Sequence, residues 1–139
     1  MMKKCLAASF ICLTMVSGTA IADSDEIIYE TLQTSKHNIE IVDGRNDTCI
    51  YRVWNKPRQV GQGRPDLEIP DGTMWGRISV TDIECMKGAK GYDFKLKNVG
   101  IHITMDDCPE KGRPKNAIGT LDVSINGRMR SSYWVYNSP

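Results

Sequence analysis

Apolar and polar residues alternate along much of this chain, which is the pattern of β-strands with one buried face. The alternation is strict over residues 92–97 and resumes over 99–105. Similar stretches cover 36–42, 48–54 and 78–83, where β-branched and aromatic residues are frequent. The pattern predicts an all-β, antiparallel domain built of hairpins, which closes into a small barrel or sandwich.

Turn-forming residues separate the predicted strands. The spacers are rich in Gly, Pro, Asn and Asp, which impose or tolerate turn conformations. They comprise Asp43-Gly44-Arg45-Asn46, residues 57–66, Pro70-Asp71-Gly72 and residues 109–114. Because the strands between them are short, we expect a series of hairpins with one longer loop.

The last predicted hairpin turns at Asn126-Gly127, a pair that favours a two-residue turn of type I′. Such a turn sets Ile125 opposite Arg128 and Gly119 opposite Trp134, and Gly119 then leaves room for the indole. The core face of the hairpin would carry Leu121, Val123, Ile125, Trp134 and Tyr136. A three-residue loop is the less favoured alternative, and its core face would instead add Met129, Tyr133 and Val135.

The first 22 residues have the features of an export signal. Met1-Met2-Lys3-Lys4 is a basic start, residues 5–16 are predominantly apolar, and Ala20-Ile21-Ala22 is a small-x-small cleavage pattern. The apolar run is shorter than the roughly 20 residues that a membrane-spanning helix needs. We therefore expect cleavage after Ala22, which leaves residues 23–139 as a single β domain in the bacterial periplasm or outside the cell.

Charge is nearly balanced, with 18 Lys+Arg against 17 Asp+Glu in the full chain. A nucleic acid or an anionic membrane surface would favour a strong basic excess, so neither is an expected partner. No segment after the export signal has the length and composition of a membrane-spanning helix. The domain is therefore not expected to be embedded in a membrane.

Three cysteines remain in the predicted mature domain, Cys49, Cys85 and Cys108. In an oxidising compartment, one disulfide and one remaining thiol is the simplest arrangement. We expect the disulfide to join Cys85 and Cys108, because the segment between them has the pattern of a hairpin that the bond would close. Cys49 is in phase with Tyr51 and Val53, so it is expected to be a small buried side chain rather than an intermolecular partner.

The chain contains only two histidines, which leaves few candidates for acid–base catalysis. His102 is out of phase with its apolar neighbours and is expected to face solvent or a cleft. His37 is in phase with Ile39 and could be a core histidine bonded to a backbone carbonyl. A nuclease could use His37, His102, Glu40 and Arg52, but nothing in their spacing brings them together. We expect a non-enzymatic domain, with His102 as the fallback catalytic candidate.

Several motifs with metal-ligand chemistry are expected to serve other roles. His102, Met105 and Cys108 are ligand types of a blue-copper site, but the first two point to opposite faces of one strand. Asp106-Asp107 is expected to cap a turn, and residues 43–47 lack the ligand spacing of a calcium loop. We predict no metal and no cofactor.

The segment from Trp54 to Asp66 is the strongest candidate for a binding surface. It is long, polar and rich in Gly and Pro, and long ordered loops on a β scaffold commonly carry recognition residues. Trp and Arg are also enriched in binding hot spots. The candidate binding residues are Trp54, Lys56, Arg58 and Arg64. The alternative is a mobile connector with Trp54 packed into the barrel mouth.

These features favour a non-enzymatic binding module, comparable with an inhibitor or immunity protein, that recognises another exported or envelope protein or an envelope glycan. We expect a monomer or a weak homo-oligomer. One alternative is a small secreted hydrolase or nuclease that uses His102. Another is a subunit of an exported surface assembly, although the terminal Tyr136-Asn137-Ser138-Pro139 differs from the C-terminal strand of chaperone–usher pilins.

Overall fold

The computed structural model describes residues 26–76 and 89–139, which form eight β-strands. The strands are β1 (Ile28–Gln33), β2 (His37–Asp43), β3 (Cys49–Asn55), β4 (Leu67–Gly76), β5 (Lys90–Leu96), β6 (Val99–Met105), β7 (Gly119–Ile125) and β8 (Arg128–Asn137). None of the described residues lies in a helix. The predicted all-β, antiparallel fold is confirmed, and it is a barrel rather than a sandwich.

The strands pair in the order in which they occur along the chain, and the barrel closes where β8 meets β1. That seam is the shortest pairing, with Leu32 opposite Asn137 and Gln33 opposite Tyr136. The Gln33 side chain strengthens it by donating a hydrogen bond from Nε2 to the Asn137 carbonyl at 3.2 Å. Closure therefore leaves no long unpaired edge strand among the described residues.

Inward-pointing side chains from all eight strands fill the barrel interior. Eight strands enclose a space that side chains can just occupy, and here aliphatic and aromatic residues occupy it. Tyr51, Tyr92 and Phe94 pack together, with ring centroids 5.2 and 6.4 Å from Phe94. Cys49 is a free cysteine that lies in this core and is 1% exposed, which confirms the prediction that it is a buried small side chain.

The turn of the last hairpin is as predicted. Asn126 and Gly127 both have positive φ, 55° and 79°, and Ile125 pairs with Arg128. Positive φ at both central positions is the signature of a type I′ turn. The Asn-Gly pair thus determines the turn geometry in this hairpin.

The register beyond the turn differs from the prediction because a β-bulge inserts one extra residue, Arg130. From the bulge onward the pairs are Val123–Ser131, Asp122–Ser132, Leu121–Tyr133, Thr120–Trp134 and Gly119–Val135. The predicted inward placement of Trp134 and Tyr136 is therefore wrong. Val135 is fully buried and Tyr133 packs against the core, as the less favoured alternative placed them, but the turn has two residues and Met129, which that alternative placed inward, is 65% exposed.

The segment Pro70-Asp71-Gly72 was predicted as a turn between strands, and this is wrong because it lies inside β4. Asp71 has a φ of 61°, and the pairing of β4 with β3 shifts at this point. Gly72 leaves room for the Phe94 ring, since a Cβ there would lie 2.2 Å from the ring. The turn chemistry thus kinks one long strand, whose first half pairs with β3 and whose second half pairs with β5.

Some predictions fall outside the described residues. They are the export signal at residues 1–22, the strand at 78–83 and the position of Cys85. The Cys85–Cys108 disulfide therefore stays a prediction. Among the described residues, no helix long and apolar enough to cross a membrane occurs.

Candidate functional site

The β3–β4 loop, residues 56–66, folds back over the outside of the barrel. Asn38 on β2 and Trp54 on β3 are paired, and both side chains point outward beneath the loop. Asn38 Nδ2 donates to the Arg58 carbonyl at 2.7 Å, and Trp54 Nε1 donates to the Gly63 carbonyl at 3.0 Å. Trp54 is only 3% exposed as a result. It is buried under its own loop rather than in the barrel mouth.

A salt bridge closes the loop on itself. Arg58 Nη2 lies 2.6 Å from Asp66 Oδ2, and Arg58 Nη1 donates to the Gln62 and Arg64 carbonyls at 3.2 and 2.8 Å. The Asn55 amide also donates to Asp66 Oδ2 at 2.6 Å. This amide, with the Arg58 guanidinium, lowers the pKa of the Asp66 carboxyl. The loop is therefore an ordered unit held by its own polar groups.

The four candidate binding residues divide into two kinds. Trp54 and Arg58 hold the loop together, whereas Lys56 and Arg64 are exposed. Lys56 Nζ donates to Gln33 Oε1 at 2.9 Å. The Arg64 side chain makes no ion pair with any residue in the ranges 26–76 and 89–139. Arg64 is thus an exposed cation of this loop that none of the described carboxylates pairs with.

Arg52 lies at the base of a groove of about 590 Å³ beside the loop. Its guanidinium contacts Glu26 at 2.9 Å, Glu68 at 3.2 Å and Glu40 at 3.5 Å. The hydrogen bonds from Arg52 to Glu26 are the largest of the effects that raise the pKa of Arg52. Because three carboxylates already surround this guanidinium, it is not available to bind a phosphate.

The structure does not gather the residues considered for a nuclease. His37 points into the barrel from β2, whereas His102 is exposed on the outer face of β6, away from Arg52 on β3. His37 Nδ1 is hydrogen-bonded to Thr34 Oγ1 at 2.8 Å, so the predicted backbone-carbonyl partner is wrong. The edge of its ring meets Tyr133 with the centroids 5.1 Å apart.

His37 is expected to make stability depend on pH. Burial, followed by the charges of Lys36 and Lys56, lowers its pKa from the ordinary value of 6.5. The unfolded chain then binds a proton more readily than the native state, so stability falls as pH falls below the ordinary value. We expect the free energy of unfolding, measured with urea, to fall from about pH 7.5 to about pH 5.5. The fall should be smaller in His37→Gln, and an equal fall would contradict this role.

His102 is exposed, as predicted, and its ring is held on two sides. His102 Nδ1 contacts Asp93 Oδ1, which lies directly opposite on β5. The Trp75 indole stacks beside the ring, with centroids 6.2 Å apart and planes inclined by 17°. Met105 packs against the core from the opposite face of β6, which confirms that His102 and Met105 diverge. A two-residue turn at residues 97–98 pairs Leu96 with Val99 and therefore sets Asp93 opposite His102, so this turn in the sequence could have indicated the partner of His102.

The outer wall around His102 holds a shallow depression of about 410 Å³, here called the His102 pocket. Its polar lining residues are Asp71, Thr73, Asp93, Lys95, His102 and Ser124. Just beyond it, Ser132 Oγ donates to Asp122 Oδ1 at 2.7 Å. Within the described residues, no group of three or more His, Cys, Asp or Glu side chains is arranged to hold a metal ion.

The β6–β7 loop, residues 106–118, is organised by Asp106 and Arg113. Asp106 Oδ1 accepts a hydrogen bond from the Cys108 amide at 2.9 Å, which confirms the predicted capping role for Asp106, whereas Asp107 is exposed. Arg113 Nη1 donates to the same carboxylate at 2.8 Å. Nothing in the sequence pattern singled out Arg113, which lies in a spacer that was assigned only as a loop.

Compared with protein-family models, with curated proteins and with solved structures, the chain matches none. The fold defines the protein as a closed eight-stranded antiparallel barrel, and a fold of this kind does not determine function, which depends on the side chains of the site.

Proposed function

We propose that this chain is an exported, non-enzymatic binding module that recognises another exported or envelope protein through its β3–β4 loop. The observation that carries the proposal is the order of this loop. Asn38 and Trp54 donate hydrogen bonds to backbone carbonyls of the loop, and Asp66 accepts one from the Asn55 amide. The exposed side chains of the loop remain turned to solvent. A surface that is already fixed loses little conformational entropy when a partner binds.

The filled barrel interior supports recognition on the outside. Small ligands bind inside a barrel of this strand number only where the interior leaves a cavity. Here the inward side chains of Leu32, Ile39, Ile41, Ile69 and Ile103 are all 0% exposed. Their packing favours a module whose recognition residues lie on outer loops and walls.

Charge reversal at Arg64 is the most direct test of the loop. In Arg64→Glu we expect the affinity for a protein partner to fall about tenfold, because an exposed hot-spot cation is replaced by a repelling anion. The partner is first captured from periplasmic and culture-supernatant proteins by the exported chain with a C-terminal tag. A long flexible linker should precede the tag, since Ser138 and Pro139 lie beside Lys56 and Pro57. Surface plasmon resonance then compares the affinities.

Arg45→Glu is the matched control, because Arg45 is an exposed arginine in the β2–β3 turn and undergoes the same change of charge. Its affinity should equal that of the unchanged protein. Arg58→Ala, in contrast, removes the salt bridge that closes the loop, so it reports on loop order rather than on contact. If Arg64→Glu binds as tightly as Arg45→Glu, the loop is not the recognition surface.

A further inference from the structure

The His102 pocket lies on the wall formed by β4–β7 and carries hydrogen-bonding groups of both kinds, and the Trp75 indole stacks beside His102 next to it. Carboxylates of Asp71 and Asp93 accept hydrogen bonds, the Lys95 ammonium donates them, and the hydroxyls of Thr73 and Ser124 do both. We propose that this pocket binds a neutral saccharide. The proposal goes beyond the loop-mediated binding described above, because it assigns a second site and a different ligand class.

The mixture of charges favours a neutral ligand. Asp71 and Asp93 would repel an anion such as a phosphate or a uronic acid, and Lys95 reduces the attraction that these two carboxylates exert on a cationic amine. A saccharide hydroxyl both donates and accepts, so neighbouring hydroxyls can satisfy carboxylate and ammonium groups together without a net charge. Ser124 lies beside Gly100, whose missing side chain leaves room for the Ser124 hydroxyl, since a Cβ would lie 2.6 Å from Ser124 Oγ.

Trp75 supplies an aromatic surface beside the pocket, where it stacks against His102. Its indole lies directly on the backbone of β5 at Gly91, where a Cβ would be 2.2 Å from Cζ2 of the indole. Its plane is within 17° of the His102 ring, so the two rings form a nearly parallel pair in which His102 lines the pocket and Trp75 lies next to it. The C–H groups on one face of a pyranose ring are weakly positive and pack favourably on the electron-rich face of an aromatic ring. Trp75 is half-buried, so part of its surface remains available to a ligand.

His102 and Asp93 hold each other in place at the centre of this wall. Their contact is between neighbouring strands of a hydrogen-bonded sheet, so neither side chain depends on a mobile loop for its position. Asp93 retains one carboxylate oxygen that is free of the His102 contact, and its side chain is 47% exposed. That oxygen can accept hydrogen bonds from a saccharide. The pocket is thus built on rigid elements, as a binding site requires.

Calorimetric titration with matched oligosaccharides tests the ligand class. The probe is chitotetraose, which is neutral, and its fully deacetylated counterpart has the same backbone but is cationic. Trigalacturonate is the anionic comparison, and cellotetraose and maltotetraose are further neutral probes. We expect at least one neutral probe to bind at ligand concentrations up to about 5 mM, and the charged probes to bind more weakly.

Substitutions in the pocket test its location. Asp93→Asn should weaken binding of the neutral probe about tenfold and Trp75→Ala about fivefold. Glu68→Gln, an exposed carboxylate outside the pocket lining, is the matched control and should bind normally. Because Asp93 is half-exposed, its variant is expected to fold even if Trp75→Ala does not.

Three results would overturn the proposal: no binding of any neutral probe, binding of a charged probe alone, or binding that Asp93→Asn leaves unchanged. The result is separable from the proposed protein recognition. Arg64→Glu should not affect saccharide binding, and Asp93→Asn should not affect capture of the protein partner.

Discussion

Replacing Arg113 by alanine is expected to lower the free energy of unfolding by about 3 kcal/mol. The side chain is 11% exposed, and its guanidinium pairs with the Asp106 carboxylate, itself 15% exposed. It also donates to the carbonyls of Asp106 at 2.6 Å, Cys108 at 2.9 Å and Ala117 at 3.1 Å. Alanine would leave these carbonyls without their side-chain donor and the mostly buried Asp106 carboxylate without its cation, with only the Cys108 amide still donating to it. Urea unfolding followed by tryptophan fluorescence measures the change.

Two further variants distinguish the contribution of the guanidinium hydrogen bonds to stability from that of the positive charge and from a general effect of changing this loop. Arg113→Lys keeps the charge but lacks the planar fork that reaches several carbonyls at once, so it should recover only part of the loss. Lys115→Ala removes an exposed cation of the same loop and should change stability by less than about 0.5 kcal/mol. If Arg113→Ala costs no more than Lys115→Ala, the hydrogen bonds of Arg113 do not stabilise the native state.

The alternation of apolar and polar residues predicted the strands that have one buried and one solvent-exposed face. In β5 and β6 the buried Tyr92 and Ile103 alternate with the exposed Lys95 and His102, as the pattern required. The alternation did not identify β1, where Ile28 and Tyr29 are exposed and the pairing with β2 is shifted by a bulge. A strand that breaks the period of two cannot be found from that period.

Turn chemistry was informative about local geometry but not about long-range pairing. Asn126-Gly127 correctly predicted a tight turn, because both residues tolerate positive φ. The same kind of residues at Pro70-Asp71-Gly72 produce a kink inside β4, because this segment passes from one neighbouring strand to the next. Whether such residues form a hairpin turn or a kink within a strand depends on which strands pair with the segment, and those strands are far away in sequence. Barrel closure, which rests on the short pairing of β1 with β8, depends on them as well.

The candidate site could be predicted as a location but not in its detailed arrangement. Length and composition identified the β3–β4 loop, and the structure places its ordered backbone on the outer wall. The sequence could not show that Trp54 and Arg58 are used within the loop, since all their partners except the Asp66 carboxylate are backbone carbonyls, which any residue supplies. It also could not show Trp75 beside His102, because the two residues lie on β4 and β6 with β5 between them.

Gly119→Ala is expected to destabilise the barrel by about 3 kcal/mol, because glycine lets two backbones approach closely at this position. A Cβ on Gly119 would lie 2.0 Å from the Thr104 carbonyl oxygen and 2.9 Å from Met105 Cα. These are backbone atoms of β6, so no rotation of a side chain relieves the contact. The space beside Gly119 was predicted to hold the Trp134 indole. The indole instead packs near Arg113, with 5.7 Å between Arg113 Cζ and the ring centroid of Trp134.

Gly76→Ala is the matched control, since it adds the same methyl group at the end of β4, where a Cβ would meet no atom of residues 26–76 and 89–139 within 4 Å. It should be neutral or slightly stabilising, because alanine restricts the unfolded chain more than glycine does. Urea unfolding of both variants therefore distinguishes close backbone approach from a general effect of losing a glycine. Equal effects would mean that β6 and β7 can separate at Gly119 without cost, and the tight pairing of these strands next to the Arg113 loop would then not be required for stability.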